Sequence, residues 1–514
     1  MYKISDLYLS IFLLWAIFVV LSVEYLIQPF FYTDNIIVLG LIYTSTLFLL
    51  YFWLNGVKDL LFPLWYYLFC REDVEKNITQ KPLIFDEKDT VDVIYCTYND
   101  FNQSALSLSI NNIFNGYDRD LVRIFILDDS TDTEYIQAIN DFCEQHSYVE
   151  VIRRTDRKGF KAGNINNWFF ALDKPSDFFI ILDSDEVVPE NFVLDTKKYM
   201  ENPSVGVIQA NHKVENVYNN FDSMYARGVE SHWITYQSVK DEFGFLSLLG
   251  HGALVRSSVF QEVGGFPHMV AEDLCFSINI RDLGYYVKFA PEVLCYEEYP
   301  VNYLAFKKRH NKWTQGNMEF IKKYTWKIIT SKMSWFEKID IFLFTYNLPL
   351  SAAFSLYLVI NVILFPLLNF DLNYALFLLI PTVIMLLAPL LSDLFYYWRS
   401  PLKIIWYSFH AIMLYGSMFF ISIIASLKSF FGKSVFLVTP KTSSEISLKE
   451  AFFANKGELI FSGSLLLTSF YTSNSVLPVL LIVIPSISSV YLSIKSRVSH
   501  RTERNQRGFL RIYF

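Results

Sequence analysis

Uncharged apolar stretches lie at both ends of the chain, and a charged segment separates them. Near the beginning, Leu7–Val23 and Ile36–Asn55 each approach the roughly 20 residues that a helix needs to cross a bilayer. After the charged segment, further apolar stretches lie within 340–371, 374–392 and 458–495, the last long enough for a helical hairpin. Together these stretches predict about six membrane-spanning helices.

One more apolar stretch, Ile404–Leu427, is long enough to cross a membrane but has unsuitable flanks. Arg399 and Lys403 precede it and Lys428 follows it, so both of its ends carry the basic residues that are typical of cytoplasmic loops. Counting it as a span would place everything after it on the opposite side. It is therefore predicted to be an amphipathic or re-entrant helix at the cytoplasmic face.

The middle segment, Arg71 to Glu337, carries most of the charge and alternates short β-branched runs with turn residues. Four strands are predicted in its first half, at 91–96, 121–127, 149–153 and 177–182. A helix is predicted over 104–114, and another begins within 158–166. This order predicts a water-soluble α/β domain inserted between membrane helices.

These patterns divide the chain into two N-terminal transmembrane helices (1–57), an interfacial or linker segment (58–90), the α/β domain (91–337), two further transmembrane helices (338–397), the interfacial or re-entrant helix (398–430), a loop region (431–456), two final transmembrane helices (457–494) and a basic tail (495–514). The predicted outer loops carry no Lys or Arg, so the positive-inside rule places the N-terminus, the α/β domain and the tail in the cytoplasm. A multi-pass protein of the plasma membrane is expected, with the tail on anionic lipid or, alternatively, acting as an RNA-binding arm.

Composition and charge narrow the class of protein further. Hydrophobic residues make up 53% of the chain and charged residues 18%, which excludes disorder as the state of the whole chain. Lys and Arg number 44 against 51 Asp and Glu, and the resulting charge of −7 has the wrong sign for bulk binding to phosphate, so no nucleic-acid partner is expected. The cysteines have no zinc-finger spacing and are expected to be free thiols: Cys70, Cys96, Cys143, Cys275 and Cys295.

Carboxylates follow two of the predicted strands, at Asp128-Asp129 and at Asp183-Ser184-Asp185. Ligands of α/β sheets gather where the strands end, so this pattern favours nucleotide binding. The chain has neither the GxGxxG pattern of dinucleotide dehydrogenases nor a P-loop, which argues against both classes. Without a P-loop, a diphosphate must be neutralised by a metal ion or by basic side chains. Asp183 and Asp185 offer oxygen ligands to Mg²⁺ or Mn²⁺, although paired Asp residues are also common in plain turns.

A set of motifs in a fixed order extends this pattern. They are Asp128-Asp-Ser130, Lys161-Ala-Gly-Asn-Ile-Asn166, Asp183-Ser-Asp185, Gly250-His-Gly-Ala-Leu-Val-Arg256 with Val263-Gly-Gly-Phe266, Ala271-Glu-Asp273 and Arg309-His-Asn-Lys-Trp313. From about residue 91 to about residue 441, the chain resembles membrane-embedded family 2 glycosyltransferases, which include cellulose, hyaluronan and osmoregulated glucan synthases. The resemblance implies a Rossmann-like GT-A domain that binds a nucleotide diphospho-sugar.

The resemblance also implies a role for particular residues. Tyr98 and Asp129 would hold the uracil of a UDP-sugar, with Asp100 in the position of the family's Glu, and Lys161 would lie near the diphosphate. Asp183 and Asp185 would bind ribose and metal. Asp273 would be the general base, with Glu272 supporting it on the acceptor side. Independently of the resemblance, an inverting transfer needs one carboxylate to take the proton of the acceptor hydroxyl, whereas a glycosidase needs two across the sugar.

The last motif departs from the family's Gln-x-x-Arg-Trp pattern, because Arg309 and Lys312 occupy the first and fourth positions. Both are expected to contact the diphosphate, Lys312 without the bidentate fork of arginine. Trp313 would stack on an acceptor sugar or, alternatively, be a core tryptophan. His251 and His310 are interpreted as structural. Phe436-Leu-Val-Thr-Pro-Lys441 resembles the gating loop of bacterial cellulose synthase, which implies that Thr439 and Lys441 reach the diphosphate.

The sequence thus favours a processive, inverting synthase that polymerises sugar from a UDP-sugar, UDP-glucose or a related UDP-hexose, and translocates the growing glycan. Membrane lipid is a further partner, and accessory subunits are unknown. The alternative is a non-processive enzyme that transfers one sugar from a UDP- or GDP-sugar to a polyprenyl phosphate or another lipid. A transporter or channel with a degenerate sensor domain fits less well, since all the expected carboxylates are present.

Overall fold

The computed structural model describes residues 5–72, 88–215, 220–370, 376–432 and 446–496. Two long helices come first, α1 (Asp6–Ile27) and α2 (Ile36–Trp65). Ser5 and Asn35 cap them, since each side chain accepts a hydrogen bond from a backbone N–H of the first turn. Short 3₁₀ and π turns extend these helices to Tyr32 and Cys70.

A seven-stranded sheet forms the centre of the α/β domain, in the order β3-β2-β1-β4-β6-β5-β7. Its strands are β1 (Val91–Thr97), β2 (Val122–Asp128), β3 (Val149–Arg153), β4 (Phe178–Asp183), β5 (Val205–Val214), β6 (Ala253–Arg256) and β7 (Tyr286–Glu297). The first four are parallel, and they are the four strands predicted from sequence, each within one residue of its predicted bounds. Only β6 runs antiparallel to its neighbours β4 and β5.

Helices cover both faces of this sheet. They are α3 (Gln103–Gly116), α4 (Thr133–Gln145), α5 (Phe160–Ala171), α6 (Phe192–Lys197), α7 (Asn220–His232), α8 (Ser238–Phe243), α9 (Ser257–Val263) and α10 (Glu272–Asp282). Val93 and Tyr95 of β1 enter the core under α3 and α4, whereas Ile94 enters the core under α5 and α9. Burial on both faces explains why the predicted strands are almost continuously apolar.

The remaining helices lead from the sheet into the apolar part of the chain. They are α11 (Tyr303–Thr330), α12 (Trp335–Thr345), α13 (Leu350–Leu358), α14 (Phe365–Leu367), α15 (Leu376–Leu387), α16 (Leu391–Tyr396), α17 (Pro401–Ser417), α18 (Phe419–Phe431), α19 (Leu448–Ala454), α20 (Lys456–Ser473) and α21 (Leu480–Lys495).

Among the described residues, five helical segments are long and apolar enough to cross a membrane: Asp6–Tyr32, Ile36–Cys70, Leu350–Leu367, Phe377–Tyr396 and Ile404–Phe431. They mark the chain as a membrane protein. Four coincide with predicted spans. The predicted hairpin differs, because α21 has only 16 residues and α20 begins with Lys456 and Glu458.

Ile404–Phe431, predicted to lie at the cytoplasmic face, meets the same criterion of length and composition as the other four segments. It is also the most buried of the five segments: half of its apolar 18-residue stretch is buried inside the protein, against 17–33% for the others. Its position at the interface and the count of six crossings therefore stay predictions.

The helix α11 joins the sheet to this segment. His310 Nε2 lies 2.7 Å from Ser422 Oγ of α18, and Lys322 donates hydrogen bonds to the carbonyl oxygens of Ser429 and Phe430 at 3.0 Å. Because lysine and histidine hold the two helices at both ends of the contact, α11 and α18 form one packed pair.

Candidate active site

The parallel strands β1, β2 and β4 end at the same edge of the sheet, and the candidate site is built on the turns that follow them. In the turn after β4, the side chain of Asp183 is 40% exposed, whereas Asp185 is buried and accepts a hydrogen bond from the backbone N–H of Glu298 at 3.2 Å. Ser184 Oγ donates to Asp100 Oδ2 at 2.7 Å. The turn thus presents one carboxylate to the open side and anchors the other.

Lys161 reaches this turn from the first turn of α5. Two consecutive residues, Gly159 with φ of 76° and Phe160 with φ of 50°, adopt left-handed backbone conformations just before it. The sharp turn directs Lys161 Nζ to Asp183 Oδ1 at 2.5 Å and to the carbonyl oxygen of Gly250 at 2.9 Å. Burial lowers the pKa of Lys161, but the charge of Asp183 outweighs it and the pKa is raised. A permanently charged ammonium group is therefore available for a diphosphate.

The predicted nucleobase residues, Tyr98 and Asp129, directly follow β1 and β2. The guanidinium of Arg157 lies 3.3 Å from the centroid of the Tyr98 ring, so it covers one face of that ring. The Arg154 guanidinium donates hydrogen bonds to both carboxylate oxygens of Asp129, at 2.8 and 2.5 Å. The uracil contacts of Tyr98 and Asp129 stay predictions, with two arginines beside them that the motifs did not indicate.

The predicted base lies across the Gly250 loop from Lys161. Gly250 has φ of 93°, and a Cβ atom built on it would lie 3.4 Å from Asp273 Oδ2. Asp273 is in the first turn of α10 and accepts the N–H of Leu274 at 2.8 Å. Burial raises its pKa, and burial together with the charge of Asp273 raises the pKa of Glu272 to about 7. This pair therefore takes up protons more readily than ordinary carboxylates do.

The helix α11 supplies the basic and aromatic residues of the last motif. Burial lowers the pKa of Lys312, whose charge acts on Glu272 and Asp183. The Arg309 guanidinium lies 4.4 Å from the centroid of the Trp313 ring, and Trp313 is 40% exposed. The interpretation of Trp313 as a core residue is therefore wrong, because nearly half of its surface remains open to a ligand.

The two histidines of these motifs have partners; His310 is buried, and the side chain of His251 is 14% exposed. His310 contacts Ser422, and burial lowers its pKa to about 4. His251 lies between Glu186 and Glu297; burial opposes its charge, but the carboxylates prevail and raise its pKa to about 10. Both environments agree with the structural interpretation of these residues.

Glu186, directly after the Asp183–Asp185 turn, is a site residue that the motifs did not reveal. Its Oε2 accepts from the backbone N–H groups of Asp183 at 3.2 Å and Gly252 at 3.1 Å, and lies 3.3 Å from His251 Nδ1. It therefore ties the turn that carries Asp183 to the glycine loop beside Asp273. Thr439 and Lys441, with the whole Phe436–Lys441 motif, lie outside the described residues.

A mixed sheet of this order, with carboxylates and a lysine at its strand ends, is of the GT-A type. Residues 178–428 match the family described as glycosyl transferase family group 2. This match covers just under half of the chain, which is thus similar to family 2 glycosyltransferases over these residues.

Three curated relatives illustrate the family at low identity. A probable glucomannan 4-beta-mannosyltransferase of Oryza sativa is 24% identical over 41% of this chain and 38% of its own length. Glucans biosynthesis glucosyltransferase H of Bradyrhizobium diazoefficiens is 25% identical over 38% of this chain and 29% of its own. Beta-monoglucosyldiacylglycerol synthase of Synechocystis is 24% identical over 49% of this chain and 54% of its own. The matches thus span about a third to a half of these relatives' lengths.

A solved structure, the mannosyltransferase of Pyrobaculum calidifontis in complex with GDP-Man and Mn²⁺, is also similar to the chain. It superposes with a TM-score of 0.46 at 19% identity, over 75% of this chain and 99% of its own.

Proposed function

We propose that the chain is an inverting membrane glycosyltransferase that polymerises sugar from a UDP-sugar at the cytoplasmic face and translocates the glycan. The observation that carries the proposal is the convergence of Lys161, Asp183 and Asp273 around Gly250. Lys161 and Asp183, proposed to bind the donor, thus lie close to Asp273, proposed to take the proton of the acceptor. The exposed Trp313 lies on the helix that packs against the apolar segment Ile404–Phe431.

The donor diphosphate would bind between the sheet and α11. Asp183 and Asp185 provide the hard oxygen donors that Mg²⁺ or Mn²⁺ prefers, and the open side chain of Asp183 fits such an ion. When bound, the ion would neutralise phosphate charge and so make UDP a better leaving group. Lys161, Lys312 and Arg309 provide the remaining positive charge.

The chemical step needs one base. Asp273 takes the proton of the acceptor hydroxyl as that oxygen attacks C1 of the donor sugar, the bond from C1 to the diphosphate breaks, and UDP leaves with the electron pair. Attack from the face opposite the leaving group inverts the configuration at C1. The raised pKa of Asp273 suits this role, because a base nearer to neutrality accepts a proton more strongly.

The acceptor would rest on α11. The partly exposed indole of Trp313 provides an apolar surface on which a sugar ring stacks. The Arg309 guanidinium lies over the same ring, 4.4 Å from its centroid. Glu272, beside Asp273, is placed to accept a hydrogen bond from an acceptor hydroxyl. Because α11 contacts the apolar segment Ile404–Phe431, an acceptor bound on α11 would be close to the helices through which the product is proposed to leave.

A second candidate function, transfer of one sugar to a lipid, rests on a specific cavity. A space of about 330 Å³, lined almost entirely by apolar atoms, lies where α11, α13 and α18 meet, and Met318, Ile321, Leu350 and Leu427 line it. Such a space suits an acyl or prenyl chain better than a glycan. One relative is named as a synthase that glucosylates a diacylglycerol lipid, which gives the same candidate weight.

Product analysis separates the two candidates. Purified protein in lipid nanodiscs is supplied with a radiolabelled UDP-hexose, in parallel with GDP-mannose, and the products are sized after extraction. We expect a ladder of long, water-soluble glycan from a UDP-sugar and none from Asp273→Asn. A single lipid-soluble product would instead establish transfer to lipid.

A matched pair of tryptophan variants tests the acceptor platform. Trp326 is 73% exposed and lies on the same helix as Trp313, about 20 Å along it at ~1.5 Å per residue. We expect Trp313→Ala to shorten the product while Trp326→Ala leaves its length unchanged. Equal product lengths in the two variants would remove Trp313 from the acceptor site.

A further inference from the structure

Three metal-binding side chains meet on the buried side of the Asp183–Asp185 turn. Glu186 follows the turn, His212 lies on β5 and Cys295 on β7, and all three are fully buried. The parallel pairing of β5 and β7 sets His212 directly beside Cys295. The carboxylate, imidazole and thiol donor atoms lie within 4.8 Å of one another.

Two of these donor atoms lie close together without a hydrogen bond between them. Gln209 Nε2 lies 3.4 Å from His212 Nε2, but its two hydrogens have nearer partners in the carbonyl oxygens of His251 at 2.9 Å and Ala210 at 3.2 Å, so it need not occupy the lone pair of this ring nitrogen. Glu186 Oε1 lies 3.7 Å from the same nitrogen, too far for a hydrogen bond, and the side chain that interacts with this buried carboxylate from the same side is the Cys295 thiol, a weak donor. A cation satisfies a buried carboxylate better than a thiol does.

Gly252 lets these two ligand atoms approach the backbone closely. A Cβ atom at this position would lie 2.3 Å from His212 Nε2 and 2.5 Å from Glu186 Oε1, so a larger residue would push one of the two side chains away. Zinc binds imidazole nitrogen and carboxylate oxygen at about 2.0–2.2 Å and thiolate sulfur at about 2.3 Å. Donor atoms that lie within 4.8 Å of one another need only small side-chain shifts to reach these distances around one ion.

We propose that Glu186, His212 and Cys295 bind a structural divalent transition metal, with Zn²⁺ as the expected ion. A thiolate and an imidazole select zinc over Mg²⁺, which prefers oxygen ligands alone. On binding, the Cys295 thiol loses its proton to solvent and its sulfur bonds the metal. The other oxygen of Glu186 stays on Asp183 and Gly252, so the metal would lock the donor turn to strands β5 and β7.

This site is separate from the one proposed for the donor. It uses the buried Glu186 rather than Asp183, and it includes sulfur and nitrogen ligands. It does not rest on the proposed reaction, because the three ligands and the strand pairing that joins them are the same whatever sugar or acceptor the enzyme uses.

The metal itself is the probe for the test. The full chain in detergent is stripped with a chelator, reconstituted with Zn²⁺ or Co²⁺ alone, washed with excess Mg²⁺ to clear oxygen-only sites, and analysed for metal content. We expect about one zinc per chain. We also expect the cobalt form to show thiolate-to-metal charge-transfer absorption, which only a cysteine ligand produces.

Matched variants assign the ligands. Cys295→Ser and His212→Gln should lose the zinc, and Cys295→Ser should lose the charge-transfer band. Cys275→Ser, a change at another fully buried thiol, and Asp185→Asn should keep both. Wild-type protein that binds no zinc, or that binds cobalt without the thiolate band, would overturn the proposal even if a variant failed to fold. Retention of the band in Cys295→Ser would overturn it as well.

Discussion

The conformation and packing of Gly252 predict that even a methyl group at this position would disturb the candidate site. This residue has φ of 59°, and its N–H donates to Glu186 Oε2 at 3.1 Å. A methyl group there would meet His212 Nε2 at 2.3 Å and Glu186 Oε1 at 2.5 Å, well inside van der Waals contact. Gly252→Ala therefore perturbs both the backbone and the carboxylate that holds the Asp183 turn.

The cost has two parts. A left-handed backbone costs an alanine about 1–2 kcal/mol. Forcing a methyl group into a packed interior costs about 1–3 kcal/mol more. Gly264→Ala isolates the first part, because Gly264 has φ of 81° but nothing within 4 Å of an added Cβ. At about 2–4 °C per kcal/mol for a domain of this size, the packing part alone corresponds to roughly 2–12 °C.

Thermal denaturation of the two variants in the same detergent measures the difference, and initial rates of UDP release measure its effect on the site. We expect Gly252→Ala to melt below Gly264→Ala, and to lose more activity at temperatures where both are folded, because Glu186 would move Asp183. Equal melting temperatures would refute the packing argument, and equal activities would refute the role given to Glu186.

Three further predictions concern charge. Asp273→Asn should lower kcat by about 10²–10⁴ while leaving donor binding intact, and UDP release together with nucleotide titration checks this; a near-normal kcat would exclude Asp273 as the base. The base works only when ionised, and its pKa is raised, so kcat/KM should fall as pH drops through that raised pKa. Glu272→Gln, which removes a neighbouring negative charge, should move this fall to lower pH in a pH profile, and an unchanged profile would show that the two carboxylates are not coupled. Arg154→Gln should destabilise the domain by about 3–5 kcal/mol, because it leaves Asp129 buried without its partner, whereas Lys323→Gln on the surface should shift the melting temperature little; equal shifts would contradict the importance of this pair.

The parallel strands were predictable because burial on both faces leaves a continuous apolar run, as in β4, and because carboxylates mark where such runs end. Lys161, Asp183 and Asp273 were predicted as site residues because each belongs to a motif in a fixed order. The structure adds that Lys161 contacts both Asp183 and the carbonyl oxygen of Gly250, and that Asp273 lies beside the same glycine, whose positive φ the motifs do not specify.

Residues whose role depends on register were not predictable. His212 and Cys295 are 83 positions apart in the chain and become neighbours only through the pairing of β5 with β7. Glu186 reads in sequence as one more acidic residue in a turn. Arg154 was missed because only the folding of the loop before α5 brings it to Asp129.

Helix α11 runs unbroken for 28 residues, with Trp313 between the two contacts to α18 at His310 and Lys322. Arg309, Lys312 and Trp313 all lie on this helix, so a single rigid element carries both the basic side chains proposed for the diphosphate and the indole proposed for the acceptor. Any shift of α18 that drew α11 with it would therefore change the charge beside the donor and the platform beneath the acceptor in one motion.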